Sequence, residues 1–313
     1  MGNNTNVINI LLLGFPIGVD LQLLFFFIVL SIYILTLIAN ITIITLVKLN
    51  QHLQTPMYLL LSHLSIVDIF YSSTIVPKML FTLLQKNSIS LAGCFTQQYF
   101  YVSLGTTEFF LLGVMAVDRY FAICNPLRYA AIMNEKICLQ ATSASWLVAF
   151  LSMLFVVIFL SKLLYCGPFI VDHFFCDLAP LLKLSCIDPH MMENVVLIFC
   201  CCAILPSFLI TIVSYTFIVF TILRTPSQKG RKEAFSTCAS HFMVVVILYG
   251  TVIFIYVRPA HGRSIEINKF IGVFNTVVTP LLNPLIYCLR NKDVKMAMRK
   301  QFSRNLLRNN LPQ

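Results

Sequence analysis

Seven long stretches of nearly uninterrupted apolar residues constrain this chain more than any other feature of its sequence. A helix that crosses the ~30 Å hydrocarbon core of a bilayer needs about 20 mostly apolar residues, because each backbone N–H and C=O must be satisfied inside the segment. Such stretches run near 22–48, 57–80, 95–121, 138–160, 193–223, 234–257 and 267–289. The second is the least uniform, since it carries His63, Asp68 and Pro77. Of the 313 residues 58% are hydrophobic and only 11% charged, whereas soluble domains carry about 25% charged residues. A soluble enzyme is thereby excluded. The expected architecture is an all-α, integral membrane bundle of seven helices, a single domain over 1–313. Residues 1–21 form an N-terminal segment outside, 22–289 the bundle, and 290–313 a cytoplasmic tail with a short amphipathic helix.

The net charge of +10 would suit a nucleic-acid partner if it were gathered on one soluble face. Its distribution instead follows the rule that Lys and Arg collect on the cytoplasmic side of a membrane protein. With the N-terminus outside, that side receives Lys48, Arg119, Arg128, Lys136, Arg224, Lys229, Arg231, Lys232 and the seven cations of the tail, 15 of the 22. Lys78, Lys86, Lys162, Lys183, Arg258, Arg263 and Lys269 fall outside. Asn3-Asn4-Thr5 is a glycosylation sequon on the same outer side, with Asn3 the acceptor. No basic start with a cleavage site precedes the first span, so that span is expected to direct insertion itself. In the tail, Val294, Ala297, Met298 and Phe302 share one helical face while Lys295, Arg299 and Lys300 lie elsewhere, a pattern suited to anionic lipid headgroups.

Of 11 cysteines, Cys94, Cys166, Cys176 and Cys186 fall outside, where an oxidising compartment allows three pairings that spacing does not distinguish. Cys200, Cys201 and Cys202 look like a metal cluster, but successive helical residues point about 100° apart, so they read as small apolar residues. His173 and Cys176 have ligand-like spacing, and a disulfide is the stronger use of Cys176. Asp68 and Glu108 are carboxylates deep inside spans two and three, costly unless paired, protonated or bound to a cation. Asn283-Pro284 breaks the hydrogen bonding of span seven, since proline has no N–H and clashes with the turn before it. A plain packing kink would look the same. Asp118-Arg119 closes span three, where an isolated pair would read as an arginine reaching for the membrane surface.

The residues at the helix ends are more specific. Met115-Ala116-Val117-Asp118-Arg119-Tyr120-Phe121-Ala122-Ile123-Cys124 ends span three, and Leu53-Gln54-Thr55-Pro56-Met57-Tyr58 opens span two. Ser214-Tyr215 lies in span five, and Glu233-Ala234-Phe235-Ser236-Thr237-Cys238-Ala239-Ser240-His241 opens span six. Pro280-Leu281-Leu282-Asn283-Pro284-Leu285-Ile286-Tyr287 ends span seven. In this order and over essentially the whole chain, these motifs resemble the olfactory receptor family of rhodopsin-like G-protein-coupled receptors. The loop Asp172-His173-Phe174-Phe175-Cys176-Asp177-Leu178 resembles its tetrapod, class II branch. Val117 stands where the family usually has Tyr, Ala39 where Gly often precedes Asn40, and Gln54 where His is common. Glu233 replaces a usual Lys and reverses one charge at the base of span six, which bears on coupling.

The resemblance implies disulfides Cys94–Cys176 and Cys166–Cys186, holding the loop over the pocket mouth. It implies that Asp118 restrains Arg119 at rest, and that activation frees Arg119 for the G protein, with Tyr120 beside it and Tyr215 and Tyr287 as hydroxyl partners. Asn283, Pro284 and Tyr287 would form a switch, with His241 at the base of span six and Tyr249 at the level where related receptors carry a Trp toggle. Asp68 and Glu108 would lie together near Asn40 and Asn283; a sodium ion or a shared proton would each satisfy them. The ligand would bind between spans three, five, six and seven. Helical spacing there offers Tyr101, Val102, Gly105, Thr106 and Phe109, then Val252, Ile253 and Tyr256, then Val273 and Thr276. This apolar set with a few hydroxyls suits a small, weakly polar volatile molecule. No carboxylate lies in the upper part of span three, which disfavours an amine, although Glu266 is near. The expected function is an odorant receptor in the plasma membrane that activates a stimulatory heterotrimeric G protein and raises cyclic AMP. No cofactor is expected beyond that sodium, and no catalytic constellation is present. A chemosensory receptor of the same fold outside the nose fits the same residues. A transporter or channel would need repeats or a polar pore line, and neither is seen.

Overall fold

The computed structural model describes residues 9–85, 87–166, 168–186, 189–257, 265–290 and 292–309. Among these, seven long helical segments form one bundle. They are span one Val19–Leu49, span two Pro56–Leu84, span three Leu91–Cys124, span four Glu135–Ser161, span five Pro189–Arg224, span six Gln228–Val257 and span seven. Span seven is composite: helix Ile265–Val273, a π-helical turn Phe274–Val278 and helix Thr279–Arg290. Six of the seven combine the length and apolar composition for crossing a bilayer; in span six the apolar stretch is the shorter Cys238–Phe254. Lys229, Arg231, Lys232 and Glu233 occupy its first turns, so that end continues past the apolar stretch as a polar helix. The molecule is a multi-pass membrane protein.

Burial separates the centre from the periphery. In the most apolar window of span one 11% of residues are buried, and in span four 22%, against 56% and 61% in spans two and three. Spans one and four therefore present most of their surface to lipid, while spans two and three form the axis. Ser90 Oγ accepts from the Gly93 N–H at 3.1 Å, and Asn134 Oδ1 from the Ile137 N–H at 3.0 Å. These caps satisfy the free N–H groups that begin spans three and four. Pro56 at the first position of span two has no N–H to leave unpaired.

One end of the bundle is capped by a small sheet absent from the expectations above. Strand β1, Asn9–Leu12, pairs antiparallel with β2, Asn87–Ser90, and parallel with β3, Ile170–Val171. The N-terminal segment was expected only as a stretch preceding span one. Instead Ile10 and Leu12 are fully buried with Cys94, Val171, Cys176, Leu181 and Leu184. A four-residue strand gains stability only from partners distant in sequence, so no local periodicity announces it. The chain leaves β1 through Gly14 at φ +67°, a left-handed conformation that favours glycine. Two disulfides, Cys94–Cys176 and Cys166–Cys186, anchor the loop that carries β3. Lys269 of span seven is buried beneath this cap, donating to the Gly14 carbonyl at 2.9 Å and to Asp172 Oδ1 at 2.5 Å. One ammonium thus ties the N-terminal segment, the loop and span seven together.

His173 in the same loop is buried against the rings of Phe174 and Phe175, with centroids 4.5 and 4.6 Å away. Burial lowers its pKa below 6.5; Lys269 adds to this, and Asp177 and Asp172 oppose it. A base kept neutral by folding stabilises fully above its unfolded pKa and loses that contribution as pH falls below it. The unfolding free energy of the purified protein should therefore fall between pH 6.5 and 5, by at most about 1.4 kcal/mol per pH unit for one group, and the thermal midpoint should fall with it. His173→Asn should flatten that interval. An unchanged slope in the variant would show that the acid sensitivity lies elsewhere.

At the opposite end, helix Pro126–Ile132 joins spans three and four, and the tail helix Lys292–Asn309 follows span seven and packs against span one. Val294 and Ala297 of the tail helix are buried in the main core cluster with Ile43, Leu46, Tyr58 and Tyr287, and Tyr58 donates to Asp293 Oδ2 at 3.0 Å. Lys295, Arg299 and Lys300 are exposed as expected. Met298, expected on the apolar face, is 40% exposed. It sits one residue beyond Ala297, and that step of about 100° carries it off the buried stripe. The side chain of Phe302 lies outside the described residues.

Candidate functional site

Three polar or hollow levels are stacked along the bundle axis. Nearest the cap is a cavity of about 90 Å³ lined by Tyr71, Tyr101, Val102, Gly105, Thr106, Phe109, Met153, Ala203, Ile204, Val252 and Asn275. Tyr101 stacks on Tyr71 at 5.1 Å and meets Phe175 of the cap loop at 5.1 Å, so the loop roofs the cavity. Gln97 holds that loop: its Oε1 accepts from the Cys176 N–H at 3.1 Å, and its Nε2 donates to the Thr74 carbonyl at 3.1 Å. Below, Phe109 and Phe208 flank the ring of Tyr249 at 4.9 and 5.0 Å, and Tyr249 shares a hydrogen bond of 2.5 Å with Ser207. Larger clefts exist outside the axis. One of about 470 Å³ lies beneath the N-terminal segment, and a groove of about 450 Å³ runs along the outer face of spans three, four and five.

The middle level is the carboxylate pair. Asp68, Glu108 and Asn283 are all buried, and the Asn283 amide nitrogen donates to Asp68 Oδ1 at 3.0 Å, Asp68 Oδ2 at 3.2 Å and Glu108 Oε1 at 3.0 Å. One amide thus joins spans two, three and seven. Asn40, expected beside this pair, is used differently. Its Nδ2 donates to the Pro280 carbonyl at 3.0 Å and to the Thr36 carbonyl at 3.0 Å. Pro284 cannot donate to the carbonyl four residues before it, which is that of Pro280. Asn40 therefore satisfies the acceptor that the proline leaves empty.

A sodium ion would take its oxygens from Asp68 and Glu108. In this geometry the NH₂ of Asn283, not its carbonyl, faces both carboxylates, so the donor set fits a cation poorly. No group of three His, Cys, Asp or Glu residues suited to a metal occurs among the described residues.

The third level lies at the end opposite the cap. Arg119 is ion-paired with Asp118, its Nε donating to Oδ2 at 3.0 Å, and both are buried. Asp118 accepts a further hydrogen bond at Oδ1 from the Tyr129 hydroxyl, 2.7 Å away in helix Pro126–Ile132. Burial first, then the Asp118 carboxylate, push the Tyr129 phenol above its ordinary pKa, which keeps it a donor. Tyr215 and His241 share a hydrogen bond of 2.6 Å between the hydroxyl and Nδ1. Tyr287 is buried, and its hydroxyl has no hydrogen-bond partner among the described residues. Tyr120 packs against Phe217 at 5.9 Å and in the cluster of Tyr215 and Ile218.

Residues 29–305 match the sequence profile of a family described as olfactory receptor. Olfactory receptor 287 of the rat is 47% identical over 93% of this chain and 94% of its own length. Human olfactory receptor 6F1 is 46% identical over 96% and 98%, and mouse olfactory receptor 6B9 46% over 96% and 95%. The chain belongs to the olfactory receptor family. It is a rhodopsin-like receptor, not an enzyme.

Within this olfactory receptor, the structure brings Tyr101, Val102, Gly105, Thr106, Phe109 and Val252 to one cavity. Ile253 is not part of it. It is 44% exposed on the outside of the bundle, because one helical step from Val252 turns it about 100° away. Val273 packs with Phe174, Ile75 and Val76, and Thr276 is fully buried with its hydroxyl donating to the Gly272 carbonyl at 2.8 Å. Both are expected to face span three across the cavity, as a regular helical repeat through span seven would allow, and neither lines it. The π turn breaks that repeat and delivers Asn275 instead. Tyr71, Met153, Ala203 and Ile204 were also missed, since nothing in their local sequence separates a cavity wall from ordinary packing.

Glu266 is exposed at the start of span seven and does not line the cavity. Val117 faces the outer groove beside Met133 and Ile137. Cys201 and Cys202 are free thiols. Asn3 lies outside the described residues, as do the side chains of Cys200, Glu233 and Tyr256.

Proposed function

We propose that this protein is an odorant receptor of the plasma membrane, with the capped end outside and the Arg119 end cytoplasmic. It binds a small, weakly polar volatile molecule in the cavity between Tyr101 and Tyr249 and activates a stimulatory G protein, raising cyclic AMP. The observation that carries this reading is a small roofed cavity aligned with a buried, doubly held Asp118–Arg119 pair at the far end of the same helix. Ligand contact at Phe109 bears on Tyr249, and through it on spans five and six. Displacement of those spans opens the cytoplasmic end and exposes Arg119. Tyr215 and Tyr287, whose hydroxyls lie near that end, then supply hydrogen-bond partners to it. For the middle level, the facing NH₂ of Asn283 supports a shared proton between Asp68 and Glu108 over a resident sodium ion.

The test is a cyclic-AMP assay in cells coexpressing an olfactory-type stimulatory G protein, with surface labelling of every variant. Wild type should respond dose-dependently to at least one volatile compound, and Arg119→Ala should lose the response at equal surface amounts. Tyr129→Phe removes one hydrogen bond to a charged group, about 1.5–3 kcal/mol, and should raise ligand-free signalling at least about threefold. A response that survives in Arg119→Ala would refute the coupling role of Arg119.

A further inference from the structure

The outer groove between spans three, four and five lies off the axis and serves none of its three levels. Small residues hollow it: Gly113 on span three and Ala141 and Ala144 on span four leave room between larger neighbours. Gly113 also lets span five approach, since a Cβ there would already touch the Ser207 Cβ and Cα at 3.4 and 3.6 Å. The lining side chains are apolar except for two hydroxyls, and both are occupied within the protein. Ser145 donates to the Ala141 carbonyl at 2.8 Å, and Ser207 shares its hydrogen bond with Tyr249. Ala144, Val148 and Ile210 on the groove are exposed. In a multi-pass membrane bundle such a surface opens to hydrocarbon rather than to water.

We propose that this groove is a binding site for a single acyl chain of a membrane phospholipid, held in the leaflet on the Arg119 side. The proposal rests on the membrane bundle alone and goes beyond the odorant-receptor reading. Length selects the occupant first. From Ile137 to Val148 span four advances about 16 Å at 1.5 Å per residue, and one leaflet contributes about 15 Å to the ~30 Å hydrocarbon core. Val117 lines the groove one residue before Asp118, which places it in the half of the bundle that ends at Arg119. Volume agrees. An apolar cavity of about 150 Å³ holds benzene, a six-carbon ring, so about 450 Å³ takes about 18 carbons, the size of one fatty chain. A sterol, with about 27 carbons in a rigid plate, exceeds that volume. A second copy of the chain also fits poorly. A two-fold contact sets the same patch against itself, and two facing grooves would enclose a void whose lining atoms lose their contacts. A seated chain would back Ser207 from the lipid side, directly behind its hydrogen bond to Tyr249.

The experiment uses purified receptor in lipid nanodiscs. Its probe is a phosphatidylcholine with a photoactivatable diazirine in a chain of about 16 carbons, added as a minor component. After illumination, mass spectrometry counts the label at each residue. Ile34, Ile38 and Ile41, exposed on span one in the same half of the bundle, report ordinary contact with lipid. Lipid chains are as apolar as the groove, so the gain on binding is packing rather than escape from water, and labelling at residues 110–117 should exceed that reference at least about threefold. Ala144→Phe places a ring in the groove and should bring 110–117 down to the level of span one, which itself stays unchanged. Ala144 is exposed, so the ring enters no packed core.

Uniform labelling of the lipid-facing surface in wild type would overturn the proposal whatever the variant does, and so would enrichment that persists in Ala144→Phe. Loss of the enrichment when a sterol is added in the same amount as the probe would assign the groove to the sterol instead. Ready covalent dimerisation of Ala144→Cys on oxidation in membranes would assign it to a second copy of the chain. Enrichment that withstands the sterol and is lost in Ala144→Phe establishes the acyl-chain site. Each of these outcomes leaves the odorant-receptor reading standing, because that reading is tested by the response to volatiles and its loss in Arg119→Ala.

Discussion

Replacing Asn283 by leucine is expected to remove the receptor from the cell surface. The substitution deletes the NH₂ that bonds both Asp68 and Glu108, leaving the two buried carboxyl groups only the proton they share. A hydrogen bond to a charged group contributes about 1.5–3 kcal/mol, and the bonds to both carboxyl groups go together, a large share of the 5–15 kcal/mol that holds a typical protein folded. The link between spans two, three and seven is lost at the same time. Surface labelling of Asn283→Leu should fall at least about tenfold, the scale of 1.4 kcal/mol. Adding Asp68→Asn removes one of the two carboxylates and supplies a new NH₂, and should restore part of the loss. Wild-type surface amounts of Asn283→Leu would show that the two carboxylates do not need this donor.

The second large effect is expected at the cap. Cys94–Cys176 closes a separation of 82 residues, and Cys166–Cys186 one of 20. Loop-closure entropy alone assigns about 4.5 kcal/mol to the first and about 3.3 kcal/mol to the second. Structure widens that gap. Cys176 carries the N–H bonded to Gln97 and follows Phe175, the roof of the cavity, whereas Cys166–Cys186 closes the loop farther from it. Cys176→Ser should therefore abolish ligand response even in the fraction that reaches the surface. Cys166→Ser with Cys186→Ser should lower surface amounts while the remaining receptors keep their ligand potency within about threefold. Equal loss of potency in both would mean that the loop acts as one rigid piece, with neither bond nearer the ligand.

Much of the candidate site was legible because its chemistry is local. A carboxylate inside an apolar stretch, as at Asp68 and Glu108, stands out against a lipid-facing background, and so does the Asp118-Arg119 pair. Regular helical spacing was enough to collect Tyr101, Val102, Gly105, Thr106 and Phe109, since span three runs without a break past the cavity. The same reasoning failed in span seven, where the π turn changes the register between Val273 and Thr276. Tyr129 was missed for a different reason. Its value lies wholly in reaching Asp118 from a separate helix, and nothing around Tyr129 in the sequence signals that.

What the amino-acid sequence determined by itself is the membrane bundle, its seven helices and the depth of its polar residues. Lipid supplies no hydrogen bonds, so each crossing must be an apolar helix of sufficient length, and that requirement is written along consecutive residues. What only the tertiary structure decided is how groups far apart in the chain satisfy one another. The β1–β2–β3 cap, the burial of Lys269 against Gly14 and Asp172, the use of Asn40 on the Pro280 carbonyl and the turn of Asn275 into the cavity all depend on partners in other elements. Strand pairing and buried hydrogen bonds draw their energy from both partners at once, so no single stretch of sequence contains them.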